Sequence, residues 1–353
     1  MEKIVIGMSG GVDSSVAAYL LQKEGYDVTG VTVINMDSEC EESKLMVRDA
    51  KAVADRLSIR HEIIDYSKQF DRYVTDNFVQ EYLNGRTPNP CNRCNRFVKW
   101  QACMEYGRTH GIEKVATGHY AGIIRLQNGR YSVTSGDSKK DQAYALCMLT
   151  QEQLKNTVMP LYSYSKAQIR QIAAEIGISV AEKPDSQDIC FIPDGDYVGF
   201  LKRRLGDGIE KPGKFISVNG EELGTHRGAI HYTYGQRKGL GLSLKEPGYV
   251  TRLDIENNIV TVGTNKDLFS DSLNAASVNY MGLTERNEVF QIRCEAKIRY
   301  ASKGAPCLAS FDGEKVSVVF DEPERAVTPG QYVVFYGENE GEKYVLASAV
   351  IEA

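Results

Sequence analysis

The spacing of apolar residues changes character twice along the 353 residues of the chain. Over the first half, compact apolar runs alternate with segments whose apolar residues recur every three or four positions. "KIVIGM" and "DVTGVTVI" are β-rich runs, and "SSVAAYLLQKEG" between them reads as a helix closed by Gly25. "SKLMVRDAKAVADRLSI" sets Met46, Ala50, Val53 and Leu57 on one helical face, and "HEIID" follows as a short strand. "SKQFDRYVTDNFVQEYLNG" returns to helical spacing at Phe70, Val74, Phe78 and Tyr82. A further helix is expected from about Arg96 to Thr109, then a strand in "KVATGH". Such alternation predicts a parallel sheet covered on both faces.

Two segments depart from that rhythm. "AGIIRLQNGRYSVTSG" places β-rich runs on either side of Asn128-Gly129, a hairpin signal. "SKAQIRQIAAEIG" opens with a capping box, Ser165 with Gln168, and stops at Gly177. Beyond Pro193 the chain turns glycine-rich and short-stranded. From about residue 265, "FQIRCEAKIRY", "KVSVVF" and "QYVVFYG" alternate with turns, as in a small β-barrel or sandwich. The expected fold class is α/β, with a parallel-sheet domain over 1–195, a small central domain over 196–264 and a β domain over 265–353.

Composition is ordinary for a globular protein, with 42% hydrophobic and 25% charged residues. The apolar run in "MEKIVIGMSGGVD" is too short for a signal peptide, and no stretch nears the length of a membrane span. A cytoplasmic protein without a membrane partner is expected. The eight cysteines, at 40, 91, 94, 103, 147, 190, 294 and 307, have no framework spacing. They read as reduced thiols, so any disulfide among them is transient and chemical. The net charge is −5, and residues 263–353 account for it with 9 basic against 14 acidic side chains. Three windows hold bases and no acids: 86–104 (Arg86, Arg93, Arg96, Lys99), 223–245 (Arg227, Arg237, Lys238, Lys245) and 296–311 (Lys297, Arg299, Lys303). They suit a polyanion, or are ordinary surface charge.

Candidate chemistry gathers in two places. "TPNPCNRCNR" sets Cys91 and Cys94 three apart, a spacing that suits a metal, a redox pair or a nucleophile with a bystander. "GMSGGVDSS" (Gly7, Met8, Ser9, Gly10, Gly11, Val12, Asp13, Ser14 and Ser15) lies between the first strand and the first helix. Its glycines permit a turn whose N–H groups converge on an anion at a helix N-terminus. It lacks the lysine of a Walker loop.

That loop resembles the one in N-type ATP pyrophosphatases, which cleave ATP between the α and β phosphates and leave a substrate adenylated. "GRTPNPCNRCN", "ATGHY", "KDQAYAL", "DSQDICFI", "YTYGQRKGLG" and "TPGQ" follow in order, and together they resemble the tRNA-specific 2-thiouridylases from about residue 3 to about 350. The resemblance implies an adenine-nucleotide alpha-hydrolase-like N-terminal domain, a small central tRNA-binding domain and a C-terminal β-barrel. It implies ATP, with Mg2+ expected beside it, a tRNA substrate presenting the wobble uridine of its anticodon stem-loop, and a sulfur-donor protein or persulfide relay.

Residue by residue, Cys94 matches the family's nucleophile and Cys190 the persulfide carrier, ending as a transient Cys94–Cys190 disulfide. Gly118 and the backbone of Val33 match the adenosine contacts. His119 and Asn89-Pro90-Cys91 match positions near the target base. Lys140-Asp141-Gln142, Arg299-Tyr300 and Gln331 match tRNA contacts. By itself His119 also reads as a strand-end core histidine, and 140–142 as a capped helix start. Arg93, Arg96 and a helix beginning just after Cys94 are expected to draw its thiol toward thiolate.

Many family members carry aspartate where this chain has Cys91. A second reading therefore lets Cys91, Cys94 and Cys190 hold a [4Fe-4S] cluster. Zinc wants four ligands, and no fourth is evident. Two readings outside thiolation remain: an amidating ATP pyrophosphatase, and a non-enzymatic RNA-binding sulfur-relay protein.

Overall fold

The computed structural model describes residues 1–135, 141–178 and 189–352. In chain order the first strands are β1 (Lys3–Gly7), β2 (Asp27–Ile34), β3 (Arg60–Asp65) and β4 (Lys114–Ala116); the hairpin β5 (Gly122–Arg125) and β6 (Tyr131–Thr134) precedes β7 (Thr157–Val158). β1, β2, β3, β4 and β7 form one parallel sheet in the order β3-β2-β1-β4-β7. Consecutive Ile4, Val5 and Ile6 are all fully buried, which explains why this strand is an unbroken apolar run. On one face Ile4 and Ile6 pack with Val16 and Leu21 of α1 (Val12–Lys23), Ala50 and Val53 of α2 (Glu41–Leu57), and Ile169 and Ala173 of a later helix over Lys166–Glu175. On the other face Val5 meets Trp100 and Met104.

Two helices reach the site. α3 covers 67–83 and α4 covers 90–109, and each contains a wider π-type turn, at Asp71–Thr75 and Asn95–Trp100 respectively. α4 begins earlier than the expected Arg96. Pro90 takes its first position, and Asn89 caps it by accepting from the Cys91 N–H at 3.2 Å. Apolar periodicity begins only further along, so the start is set by cap chemistry and not by pattern. The capping box of Ser165 with Gln168 is present, and Gly177 follows the helix at φ +65°.

The central segment forms a four-stranded sheet from β8 (Gly213–Ser217), β9 (Glu222–His226), β10 (Tyr249–Asp254) and β11 (Ile259–Gly263) over a core of Phe215, Tyr232, Val250 and Val260. Of barrel and sandwich, the C-terminal part is a closed barrel. β12 (Phe269–Tyr280), β13 (Phe290–Lys297), β14 (Ala305–Asp312), β15 (Lys315–Arg325), β16 (Tyr332–Asn339) and β17 (Glu342–Ile351) run in the order β12-β15-β14-β13-β16-β17, and β17 pairs back onto β12. The Asn128-Gly129 hairpin forms as expected but joins the barrel, with Thr134 opposite Tyr344.

The barrel also grips the approach to α4. The Thr87 N–H donates to the Pro329 carbonyl at 2.8 Å, and Gln331 Nε2 donates to the Thr87 carbonyl at 2.7 Å. Deeper in, fully buried Asn92 donates to the Tyr144 carbonyl at 2.9 Å and to Cys147 Sγ at 3.0 Å. Among the described residues no helix is long and apolar enough to cross a membrane.

Replacing Asn92 by alanine removes the short bonds to the Tyr144 carbonyl and Cys147 Sγ and leaves that carbonyl only the longer 3.4 Å bond from the Cys147 N–H. The expected cost is about 1–3 kcal/mol, read as a lower denaturant midpoint with unchanged slope; an unchanged midpoint would show that α4 is held elsewhere.

Candidate active site

The glycine-rich loop at Gly7–Ser15 follows β1 at the carboxyl edge of the sheet, where open α/β sheets bind ligands. Gly10 has φ +65°, and a Cβ there would lie 2.8 Å from the Met46 carbonyl oxygen, so only glycine permits this turn. Among the described residues the Gly10 and Gly11 N–H groups have no hydrogen-bond partner. Ser14 Oγ accepts from the Ser9 N–H at 3.2 Å, and Ser15 Oγ donates to the Gly11 carbonyl at 2.8 Å, which fixes the loop from within. Met8 is tied to β2 by its N–H to the Val31 carbonyl and by Thr32 Oγ1 donating to its own carbonyl at 3.0 Å. Gly118, after β4, abuts the start of α1, where a Cβ would meet the Ser14 nitrogen at 2.6 Å. Val33 lies half-buried near the end of β2, opposite Ile64. Asp13 is engaged: Lys166 Nζ approaches its carboxylate at 2.6 Å and the Tyr120 hydroxyl donates to it at 2.7 Å.

The thiols gather at the end of β2, where Cys94 packs with Val33 and Met36 and Cys190 lies near Asn35. Cys94 is buried among Tyr66, Phe70, Val74 and Val98. Cys190 is exposed on a turn closed by the Ile192 N–H to the Ile189 carbonyl, 2.8 Å. The apolar neighbours of "ICFI" hold that turn: Phe191 packs edge-on against Phe70 at 5.5 Å and Phe78 at 5.2 Å. Asn35 Nδ2, just past β2, lies 3.8 Å from Cys190 Sγ. Burial pushes the Cys94 thiol up to about 12; nearby Lys99 pulls it down, and Cys190 and Cys91 push it further up. Cys190 is also raised, by desolvation first, against the pull of Lys99. All eight cysteines are free.

This corrects the expectation for the arginines. Arg93 Nε donates to the Tyr73 carbonyl at 2.7 Å, and both Arg93 and Arg96 lie over the Phe97 ring, 5.1 and 4.9 Å from its centroid. They spend their charge on the neighbouring face of α4. Nor does a helix begin just after Cys94, which stands inside α4. The cation at the thiols is Lys99, which the sequence reading left as one base in a window. At α-helical spacing a residue five positions on points elsewhere, whereas the π-type turn bonds i to i+5.

His119 is half-buried, its Nδ1 is 2.8 Å from Thr117 Oγ1, and its ring lies 5.4 Å from that of Trp100. Desolvation, with Lys99 adding to it, lowers its pKa to about 3. Asn89, Pro90 and Cys91 form the first turn of α4, with Cys91 exposed.

The remaining expected tRNA contacts are bound within the chain. Asp141 accepts from the Ala143 N–H at 3.0 Å, and Gln142 Oε1 accepts from the Tyr120 N–H at 2.9 Å. Arg299 donates to the Arg325 carbonyl at 2.9 Å, the Tyr300 hydroxyl donates to the Asp141 carbonyl at 3.3 Å, and Gln331 holds Thr87. Lys140 lies outside the described residues. Arg237 and Lys238 are exposed on a loop braced by Gln236 Nε2 donating to the Lys238 carbonyl at 2.9 Å.

Among the described residues, no three His, Cys, Asp or Glu side chains are grouped to hold a metal ion. Cys91, Cys94 and Cys190 therefore do not present a cluster's ligand set, and no step below passes through one.

Residues 2–194 match the family model of a tRNA methyl transferase HUP domain, 199–264 that of a tRNA methyl transferase PRC-barrel domain, and 270–351 that of an aminomethyltransferase beta-barrel domain. The tRNA-specific 2-thiouridylase MnmA of Lachnoclostridium phytofermentans is 46% identical over 347 residues, covering 95% of this chain and 96% of that protein. Its counterpart from Carboxydothermus hydrogenoformans is 45% identical over 351 residues, covering 96% and 95%. Among solved structures, a U34-tRNA thiolase NcsA from Methanococcus maripaludis with its [4Fe-4S] cluster matches at 18% identity and a TM-score of 0.37, over 59% of this chain and 68% of that one.

The depressed His119 pKa has a sign that can be tested. The unfolded chain takes up a proton near the ordinary histidine value of about 6.5, while the folded one stays neutral down to about 3. Its contribution to stability is therefore full above 6.5 and is lost as pH falls through that window. NMR titration is expected to show no His119 protonation between pH 5 and 8; a midpoint near 6.5 would contradict its burial.

Proposed function

The chain belongs to the tRNA-specific 2-thiouridylase family, and on that premise we propose that it uses ATP to replace the C2 oxygen of the wobble uridine of tRNA with sulfur. The observation that supports this reading is that two free thiols, Cys94 and Cys190, act on one another at the carboxyl end of β2, in the sheet whose β1 leads into a phosphate-type loop. The family-model descriptions speak of methyl transfer, whereas the relatives matched over nearly the whole chain are named 2-thiouridylases, and paired thiols suit sulfur transfer.

The loop from Gly7 to Ser15 holds the ATP phosphates, with Val33 and Gly118 at the adenosine and Mg2+ accompanying the nucleotide. The uracil O2 attacks the α-phosphorus, an O–P bond forms, and pyrophosphate leaves with the electrons of the broken Pα–O bond. Cys190 carries a persulfide supplied by a sulfur-donor protein. Cys94, as thiolate, attacks the Cys190 sulfur. The outer sulfur leaves as hydrosulfide, and a Cys94–Cys190 disulfide forms. Two thiol sulfurs are thereby oxidised and the sulfane sulfur is reduced. Hydrosulfide adds to C2, AMP departs with the original oxygen, and a dithiol reductant resets the pair. Lys99 favours the thiolate that this attack needs. Neutral His119 and Asn89-Pro90-Cys91 stand at the target base. The anticodon loop, single-stranded, is the part of tRNA whose bases proteins can splay out.

Residues 1–195 perform the chemistry in this reading. Residues 196–264 and 265–353 extend the RNA surface through Arg237, Lys238, Arg299 and Tyr300, with Asp141, Gln142 and Gln331 bracing it and Lys140 adding a further contact. The protein acts in the cytoplasm, where its substrate tRNA is found.

Cys94→Ser and Cys190→Ser are expected to retain tRNA-dependent pyrophosphate release while losing 2-thiouridine, read by retardation of the product in a mercury-containing gel. Full thiolation in either variant removes that cysteine's role, and pyrophosphate release that ignores tRNA defeats the reading as a whole. Lys238→Ala is expected to weaken tRNA binding a few-fold and to lower the slope of log affinity against log salt by about 0.7–0.9. An unchanged slope takes that loop out of the footprint.

A further inference from the structure

A cavity of about 570 Å³ opens between α3 and α4 and is lined by Tyr66, Arg72, Tyr73, Phe97, Gln101 and Glu105. It adjoins the thiol site without sharing its residues' chemistry. Cys94, Val98 and Ala102 point into the core from α4, with Tyr66 packed against them, while Arg93, Phe97, Gln101 and Glu105 recur four apart along the next stripe. Tyr66 is thus a wall between the two sites.

The groove is built for a flat, anionic ligand. The Tyr73 and Phe97 rings stack 5.0 Å apart and 13° from parallel. The Arg72 guanidinium lies 5.2 Å from the Tyr73 centroid, and those of Arg93 and Arg96 lie 5.1 and 4.9 Å from the Phe97 centroid. Arg72 and Lys68 are exposed, and among the described residues neither forms a salt bridge. The single carboxylate, Glu105, accepts from the Tyr66 hydroxyl and from Gln101 Nε2, both at 2.8 Å, so a fixed amide–carboxylate edge faces the opening. Guanidinium planes and aromatic rings stack nucleobases, cations hold phosphodiesters, and an amide beside a carboxylate can read a base edge. The volume lies within the usual range of small-ligand sites, about 300–1,000 Å³.

We propose that this groove binds an unpaired nucleotide of the RNA substrate other than the reacting base, with Arg72 and Lys68 on its flanking phosphates and Gln101–Glu105 against its base edge. The inference rests on the reading of the substrate as tRNA. It adds a further point of RNA contact, on the outer stripe of the helix that carries Cys94, and so couples the grip on RNA to the position of the nucleophile.

The test is binding of an unmodified tRNA transcript, by fluorescence anisotropy at several salt concentrations, to wild type, Arg72→Glu, Arg72→Lys and Gln101→Ala. Fluorescent ATP-analogue binding and circular dichroism on the same samples report whether each variant is folded, and Arg72→Gln replaces Arg72→Glu if that chain does not fold. Arg72→Glu is expected to weaken binding about tenfold and to lower the salt slope by about 0.7–0.9, with lysine restoring the slope. Gln101→Ala is expected to weaken binding with the slope unchanged. Unaltered affinity and slope in Arg72→Glu overturn the proposal. So does intact tRNA binding with reduced sulfur uptake from a donor protein, which assigns the groove to a protein partner. Wild type that binds no tRNA defeats the proposed function itself, a result distinguishable from either.

Discussion

Thr87 is held at both ends of its residue by one turn of the barrel. Its N–H is taken by Pro329 and its carbonyl by Gln331. The turn can come this close because residue 330 is glycine, at φ +89°, where a Cβ would stand 3.0 Å from the Thr87 nitrogen. Much depends on that grip. It fixes the chain just before Asn89 caps α4, hence the direction in which the helix starts and where Cys91, Cys94 and Lys99 arrive. Asn92 and Asn95 then tie α4 to the segment at 144–153 by donating to the Tyr144 and Ala145 carbonyls, and Gln153 donates back to the Arg96 carbonyl. The barrel is accordingly part of the active-site scaffold. The hairpin β5–β6 leaves the first sheet and joins the barrel, which binds the two parts a second time.

Much of this was legible from residue order. β1 reads as a buried parallel strand because three successive apolar residues have no polar alternate, and the glycine turn after it has no substitute at Gly10. The same holds for Ser165 with Gln168, whose reciprocal bonds follow from residue type and spacing alone. These are local rules, satisfied within a few residues, and local rules survive folding.

What was not legible depends on distant partners or on irregular helix geometry. Arg93 and Arg96 stand beside Cys94 in sequence, yet the helix turns them to Tyr73 and Phe97. Lys99 lies further along and still acts on both thiols, because a π-type turn changes which residues share a face. Nothing in "NRFVKW" announces such a turn. Gln331 and Gln142 looked like free polar contacts for RNA, and each is used to brace backbone that lies far away in sequence. Their positions were readable; their hydrogen bonds were not.

On the proposed assignment of Cys94 as nucleophile and Cys190 as persulfide carrier, the two thiols differ in a way that bears on how sulfur transfer is kept in order. Cys190 is exposed, as a group that receives sulfur from outside must be, and its turn is anchored by Ile189, Phe191 and Ile192 so that it does not wander. Cys94 is buried, and its pKa near 12 leaves it protonated at neutral pH. Burial therefore makes ionising it costlier than for a free thiol. That cost protects the nucleophile: a neutral, buried thiol neither oxidises readily nor releases sulfide before a substrate is present. It also means that the proposed attack is disfavoured in the resting arrangement. Desolvation is the largest cause of the shift, and Lys99 alone among the neighbours opposes it. Opening Cys94 to water, or bringing Lys99 closer, would lower that cost and favour the thiolate.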